Sequence, residues 1–129
     1  MDKKIIKAAA FMGAVAIILG AFGAHSLKSV LDETQLATFE TGVRYQMYHA
    51  LFLLFVGTTS CISIKTKQIV FWLVVIGVVL FSGSIYLLST ASLTSINAKI
   101  IGPVTPLGGL LMISAWVVLF SKISGEKAE

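Results

Sequence analysis

The sequence predicts an all-α membrane protein: four transmembrane helices in a compact bundle, with a short amphipathic helix in the outer loop between helices 1 and 2. Three observations carry this. Residues 8–24, 45–64, 68–98 and 100–121 contain no Asp, Glu, Lys or Arg, and together they cover 90 of 129 residues. Charged residues make up 12% of the chain and hydrophobic ones 57%, whereas a soluble domain carries about 25% charge. The apolar runs do not alternate with polar residues, which fits helices in lipid and not barrel strands.

A spanning helix needs roughly 20 mainly apolar residues. The first span reaches this over residues 5–24 when Ile5 and Ile6 join it and Lys7 snorkels to the headgroups. Its basic start and small end imitate a secretory signal, but the apolar run is long for a signal core. Small residues, among them Gly13, Gly20 and Gly23, line this helix. In the loop that follows, Asp32 or Thr34 caps a helix, and Leu36, Phe39, Val43 and Met47 recur at helical spacing. This predicts a helix over 34–44, either kinked at Gly42 or running straight into helix 2. Glu40 and Arg44, four apart in the favourable order, are expected to pair.

The second span is read at 45–64, with a turn at 65–67. The third covers 68–91, where a Ser/Thr-rich tail ends it. The fourth covers 104–121. Thr105 suits its cap and Pro106 its first position, where a missing N–H costs nothing. Gly108 and Gly109 clear its first turn. With Gly83 of helix 3 they join the glycines of helix 1 as expected close-packing positions, since helices in lipid associate through small residues. The whole chain, 1–129, reads as one domain.

Basic residues orient the bundle. With four spans, one side holds Lys3, Lys4, Lys7, Lys65, Lys67, Lys122 and Lys127, and the other holds Lys28, Arg44 and Lys99. The positive-inside rule then places both termini in the cytoplasm. Trp72 and Trp116 fall near the inner ends of helices 3 and 4, and Tyr45, Tyr48 and Tyr86 near the outer ends of 2 and 3, as interfacial belts favour. The net charge of +4 is scattered over tails and turns, so it reads as a topology signal and not as a nucleic-acid footprint. The lone Cys61 is placed in the inner half of helix 2 with a packing role.

The unusual segment is 39–50, which carries Glu40, Arg44, Tyr45, Gln46, Tyr48 and His49 into the outer end of helix 2. Polar residues at membrane depth are functional candidates by default. At about 100° per residue, Glu40, Arg44 and Tyr48 share one face, His49 lies about 140° round from Arg44, and Gln46 faces a third side. His25 closes helix 1 on the same outer side, so the candidate polar site is His25, Glu40, Arg44, Tyr45, Gln46, Tyr48 and His49. Two imidazoles without a recognisable ligand spacing do not define a metal centre, and no cofactor is expected. Hydrolase, phosphate-loop and zinc-protease motifs are absent from the sequence, so no catalytic residue is assigned.

Four stretches resemble the signatures of a known family. They are Gly20-Ala21-Phe22-Gly23-Ala24-His25; Phe39-x-Thr41-Gly42-Val43-Arg44-Tyr45-Gln46-Met47-Tyr48-His49-Ala50; Phe81-Ser82-Gly83-Ser84-x-Tyr86; and Thr105-Pro106-Leu107-Gly108-Gly109. In this order they resemble the small bacterial inner-membrane family of unknown function typified by the YgdD and YwdK proteins. The resemblance implies a four-helix integral membrane protein and transfers no activity, substrate or catalytic residue.

Three functional readings stay open. The first is a non-enzymatic structural or accessory bundle that packs with itself or within a larger membrane complex. The second is an oligomeric transporter or channel for small solutes or ions, with Arg44, Gln46 and His49 in an outer vestibule. The third is a haem, metal or quinone site at His25 and His49. In each, the lipid bilayer is the main partner and no nucleic acid is expected.

Overall fold

Five α-helices make up the protein in a computed structural model that describes residues 2–123. They are α1 (Asp2–His25), α2 (Glu33–Thr58), α3 (Ile64–Ser89), the one-turn α4 (Ala98–Ile101) and α5 (Val104–Ile123), with 3-10 turns at Leu27–Ser29 and Ala91–Leu93. No strand occurs among the described residues. Lys127, counted above on the cytoplasmic side, lies outside them.

Helix α2 packs on α1 and on α3, and α3 packs on α5. The four long helices run up and down. The start of α1 meets the start of α3 where Lys67 Nζ lies 3.1 Å from Asp2 Oδ1. One apolar core, including Ile5, Leu53, Val56, Val70 and Val74, fills this end and the middle, and a smaller one of Leu27, Leu31 and Phe39 fills the other end.

Three long helical segments are apolar and long enough to cross a membrane: Asp2–Ser29, Ile64–Ser89 and Ala98–Ile123. Helix α2 is not among them. Its 26 residues are about 39 Å long, but Glu40, Arg44, Gln46 and His49 lower its hydropathy.

The boundaries differ from the sequence reading for local reasons. Residues 34–44 are helical and run straight into α2 without a break at Gly42, the second of the two expected arrangements, so no separate short helix fills the loop after α1. Asp32 starts α2 with a reciprocal cap: its carboxylate accepts from the Gln35 N–H at 2.7 Å, and the Gln35 side chain accepts from the Asp32 N–H at 3.0 Å. Helix α2 stops at Thr58 and the turn is 59–63, not 65–67. Ser63 caps α3, so Lys65 and Lys67 sit within its first turn. Lys67 is buried against Asp2 and does not face water. Cys61 is exposed in the turn and does not pack inside α2. Helix α5 begins at Val104, so Thr105 is its second residue and not its cap. Pro106 remains in the first turn, where no N–H is required.

The glycines divide sharply. A Cβ on Gly108 would strike the backbone of α3 at Phe81 N, at Gly77 O (2.7 Å) and at Leu80 C (2.9 Å). On Gly77 it would lie 2.8 Å from Met112, on Gly42 2.8 Å from Tyr86, and on Gly57 2.8 Å from Ile6. Gly23 faces the Phe39 ring at 3.1 Å, while Gly13, Gly20 and Gly109 have ordinary clearance of 3.4 Å or more. Gly83 has nothing within 4 Å, so it is not a close-packing position. Gly83→Ala is expected to raise stability by about 0.5–1 kcal/mol, the propensity difference in a helix interior. Thermal unfolding in detergent checks this; a lowered midpoint would mean that the space at Gly83 is filled.

Candidate functional site

The buried side of α2 reads Phe39, Gly42, Gln46, His49, Leu53, Val56. The spacings alternate three and four, as on a helix that meets partners along one seam. Gln46 and His49 are therefore carried inward by the same stripe that buries Phe39 and Leu53. They are 6% and 4% exposed.

Gln46 joins three helices. Its Nε2 donates to the Met12 carbonyl of α1 at 2.8 Å, and its Oε1 accepts from the Tyr86 hydroxyl of α3 at 2.6 Å. A carbonyl only accepts, so the Met12 contact fixes which way the amide points. His49 joins α2 to α5. Its Nδ1 lies 2.7 Å from the Tyr45 carbonyl and its Nε2 lies 3.1 Å from the indole Nε1 of Trp116. The carbonyl only accepts and the indole N–H only donates, so Nδ1 carries the proton and Nε2 accepts. Phe52 stacks on Trp116 with ring centroids 4.1 Å apart, which holds the indole in place.

Two further contacts extend the network. The buried Ser82 hydroxyl of α3 donates to the Gly42 carbonyl at 2.7 Å. Close approach at Gly42 brings that carbonyl within reach. The hydroxyls of Ser84 and Thr105 bond to each other and link α3 to α5. Among the described residues, no buried side-chain nitrogen or oxygen lacks a partner. Two cavities flank the network. One, of about 250 Å³, is lined by Tyr45, His49, Phe81, Met112, Ile113 and Trp116 among others. The other, of about 230 Å³, is lined by Phe11, Met12, Gln46, Gly83 and Tyr86 among others.

Of the candidate residues, the structure brings Gln46, His49 and the backbone of Tyr45 into this network. Glu40, Arg44 and Tyr48 lie on the opposite, exposed face. Arg44 does not pair with Glu40: its Nη2 donates to the Thr41 hydroxyl at 3.1 Å, and the one ion pair among the described residues is Lys67–Asp2. His25 is exposed at the end of α1. Gly23 faces Phe39 whereas Gly13 faces Ala50, so the two histidines are offset by about eleven residues of helix, or about 17 Å. They do not share a depth, and the described residues hold no group of three or more His, Cys, Asp or Glu suited to a metal ion.

Sequence reasoning missed Tyr86, Trp116, Ser82 and Thr105 as partners. Tyr86 and Trp116 read as interfacial belt residues, but the polar atom of each points into the bundle. The three-and-four spacing of the α2 stripe was the available signal that Gln46 and His49 turn inward.

A family described as a protein of unknown function (DUF423) matches residues 19–109. That interval contains Gln46, His49, Ser82 and Tyr86. A membrane protein of Staphylococcus haemolyticus is 44% identical over 100 residues, covering 78% of each chain. The membrane protein YwdK of Bacillus subtilis is 40% identical over 107 residues, covering 81% of this chain and 83% of its own. A membrane protein of Haemophilus influenzae is 33% identical over 119 residues, covering 92% of each. All three carry the same family designation, UPF0382. No solved structure matches the chain. With long apolar helices and relatives that are named membrane proteins along most of their length, the chain belongs to this family of membrane proteins of unknown function.

Proposed function

We propose that the protein is a non-enzymatic, four-span bundle of the cytoplasmic membrane, with both termini inside, that serves as a structural or accessory element. One observation carries this reading: the polar groups of the interior are spent on neighbouring helices. Gln46 and His49 each bond on two sides, and Ser82 and Ser84 are also engaged. Side chains held this way lock helix register in lipid, where the alternative is an unsatisfied polar group. In the four-span arrangement α2 crosses with Gln46 and His49 shielded by α1, α3 and α5, and its first turns, which carry the exposed Glu40 and Arg44, rise toward the outer surface.

Topology and permeability test the two parts of the proposal. Reporter fusions after residue 129 and within 28–35 are expected on opposite sides, the first cytoplasmic; an external C-terminus overturns the orientation. Vesicles holding the purified protein are expected to pass potassium, chloride and protons no faster than empty vesicles. A flux above that background that falls in Gln46→Ala and His49→Ala variants would instead support an oligomeric channel.

A further inference from the structure

A groove of about 440 Å³ runs along the bundle between α3 and α5, away from the polar network. Gln68, Ile69, Trp72, Leu73, Ile76 and Leu111 line it. Ile69, Trp72 and Ile76 are between 42% and 49% exposed, so the groove opens toward lipid. On α3, Ile69, Trp72 and Ile76 continue a stripe that begins at Lys65, by steps of four, three and four. On α5, the stripe through Leu111, Ala115 and Val118 ends at Lys122 by the same steps. Residues so spaced share a helix face.

The two helices are antiparallel and cross at Gly77 and Gly108. Lys65 lies about 18 Å from that crossing along α3, and Lys122 about 21 Å along α5. The groove therefore ends toward the crossing, and past its lining residues each stripe continues to an exposed lysine, Lys65 on α3 and Lys122 on α5. A third lysine borders it: Lys4 Nζ sits 5.0 Å from the ring centre of Trp72. Asp2 is the one acidic residue described at this end, and it is occupied by Lys67. The opposite end balances Lys28, Arg44 and Lys99 against Asp32, Glu33 and Glu40.

We infer that this groove is a binding site for an anionic phospholipid, one acyl chain lying against Trp72 and Ile76 and the phosphate held between Lys65 and Lys122. Charge complementarity identifies the occupant: an apolar slot ending in lysines, with no free carboxylate described beside them, fits a chain that ends in a negative headgroup. Lysines near a membrane surface attract anionic lipid, and basic pockets between membrane helices hold such headgroups. A tryptophan at the boundary supplies the amphipathic wall that interfacial depth favours.

Quenching of tryptophan fluorescence by brominated lipid tests this on the full chain in vesicles. The chain has two tryptophans, Trp72 in the groove and Trp116 in the polar network. Brominated phosphatidylglycerol is expected to compete for the Trp72 site about five-fold or more better than brominated phosphatidylcholine. The preference should vanish in the Lys65→Gln/Lys122→Gln variant, persist in Lys65→Arg/Lys122→Arg, and persist in Lys28→Gln/Lys99→Gln. It should be absent in Trp72→Phe, which reports Trp116 alone. Equal quenching by the two lipids overturns the inference. So does a preference that survives Trp72→Phe, which would mean general enrichment at the surface, or one that survives loss of both lysines. Shielding of Trp72 from both lipids would also overturn it, since a second copy of the chain would then fill the groove.

Discussion

Gly108→Leu is expected to abolish the folded bundle. The first side-chain atom alone would overlap three backbone atoms of α3, and backbone atoms cannot rotate aside as a side chain can. Overpacking a core costs about 1–3 kcal/mol where side chains absorb it, and here α5 would have to move away from α3 as a unit. That motion would also part Ser84 from Thr105 and pull Trp116 from His49. Even Gly108→Ala is expected to lower the thermal midpoint clearly. Gly109→Ala is the control, because a Cβ there meets only Phe81 at 3.6 Å. Comparable midpoints for the two alanine variants would show that the helices do not cross at Gly108.

Gln46→Leu is the second large effect. It keeps the volume but removes both interhelical hydrogen bonds, leaving the Tyr86 hydroxyl and the Met12 carbonyl without that partner. Each bond between helices in lipid is worth about 0.6 kcal/mol on average and up to about 1.7, and a stranded, partly buried hydroxyl adds to the loss. A destabilisation of about 2 kcal/mol is expected. Tyr86→Phe should cost less, and the double variant should cost less than the two single losses added, because Tyr86→Phe removes the group that Gln46→Leu strands. Reversible unfolding in mixed micelles measures all three. Strict additivity would mean that Gln46 and Tyr86 do not share a bond.

The apolar segments were readable because lipid imposes a strong rule on short stretches of sequence: no charges, and about 20 residues. Runs free of charge therefore marked three of the long helices closely. The turn after α2 was misplaced because Lys65 and Lys67 look like turn residues. Ser63 supplies the cap, and Asp2, sixty-five residues away, supplies a partner for Lys67 that no local pattern contains. Arg44 shows a similar limit. Its spacing from Glu40 permits a pair, but on an exposed face such a pair gains little, and the nearer Thr41 hydroxyl takes the guanidinium.

At the candidate site, the residue types of α2 were legible and their partners were not. Gln46 and His49 stood out because polar side chains are costly at that depth. Tyr86 and Trp116 did not, because an aromatic residue with one polar atom suits an interface and a buried bond equally well. Glycines posed the same problem: Gly83 and Gly108 look alike in sequence, yet one faces open space and the other a neighbouring backbone.

The sequence by itself determined the helical class, the long apolar runs, the concentration of lysines at one end and the unusual polar residues of α2. All of these follow from interactions of single segments with water and lipid. The tertiary structure decided which glycines are contacts, which side chains meet Gln46 and His49, and that His25 stands apart from His49. Those outcomes depend on the rotation and axial register of one helix against another, and that register is set by packing among all the helices at once.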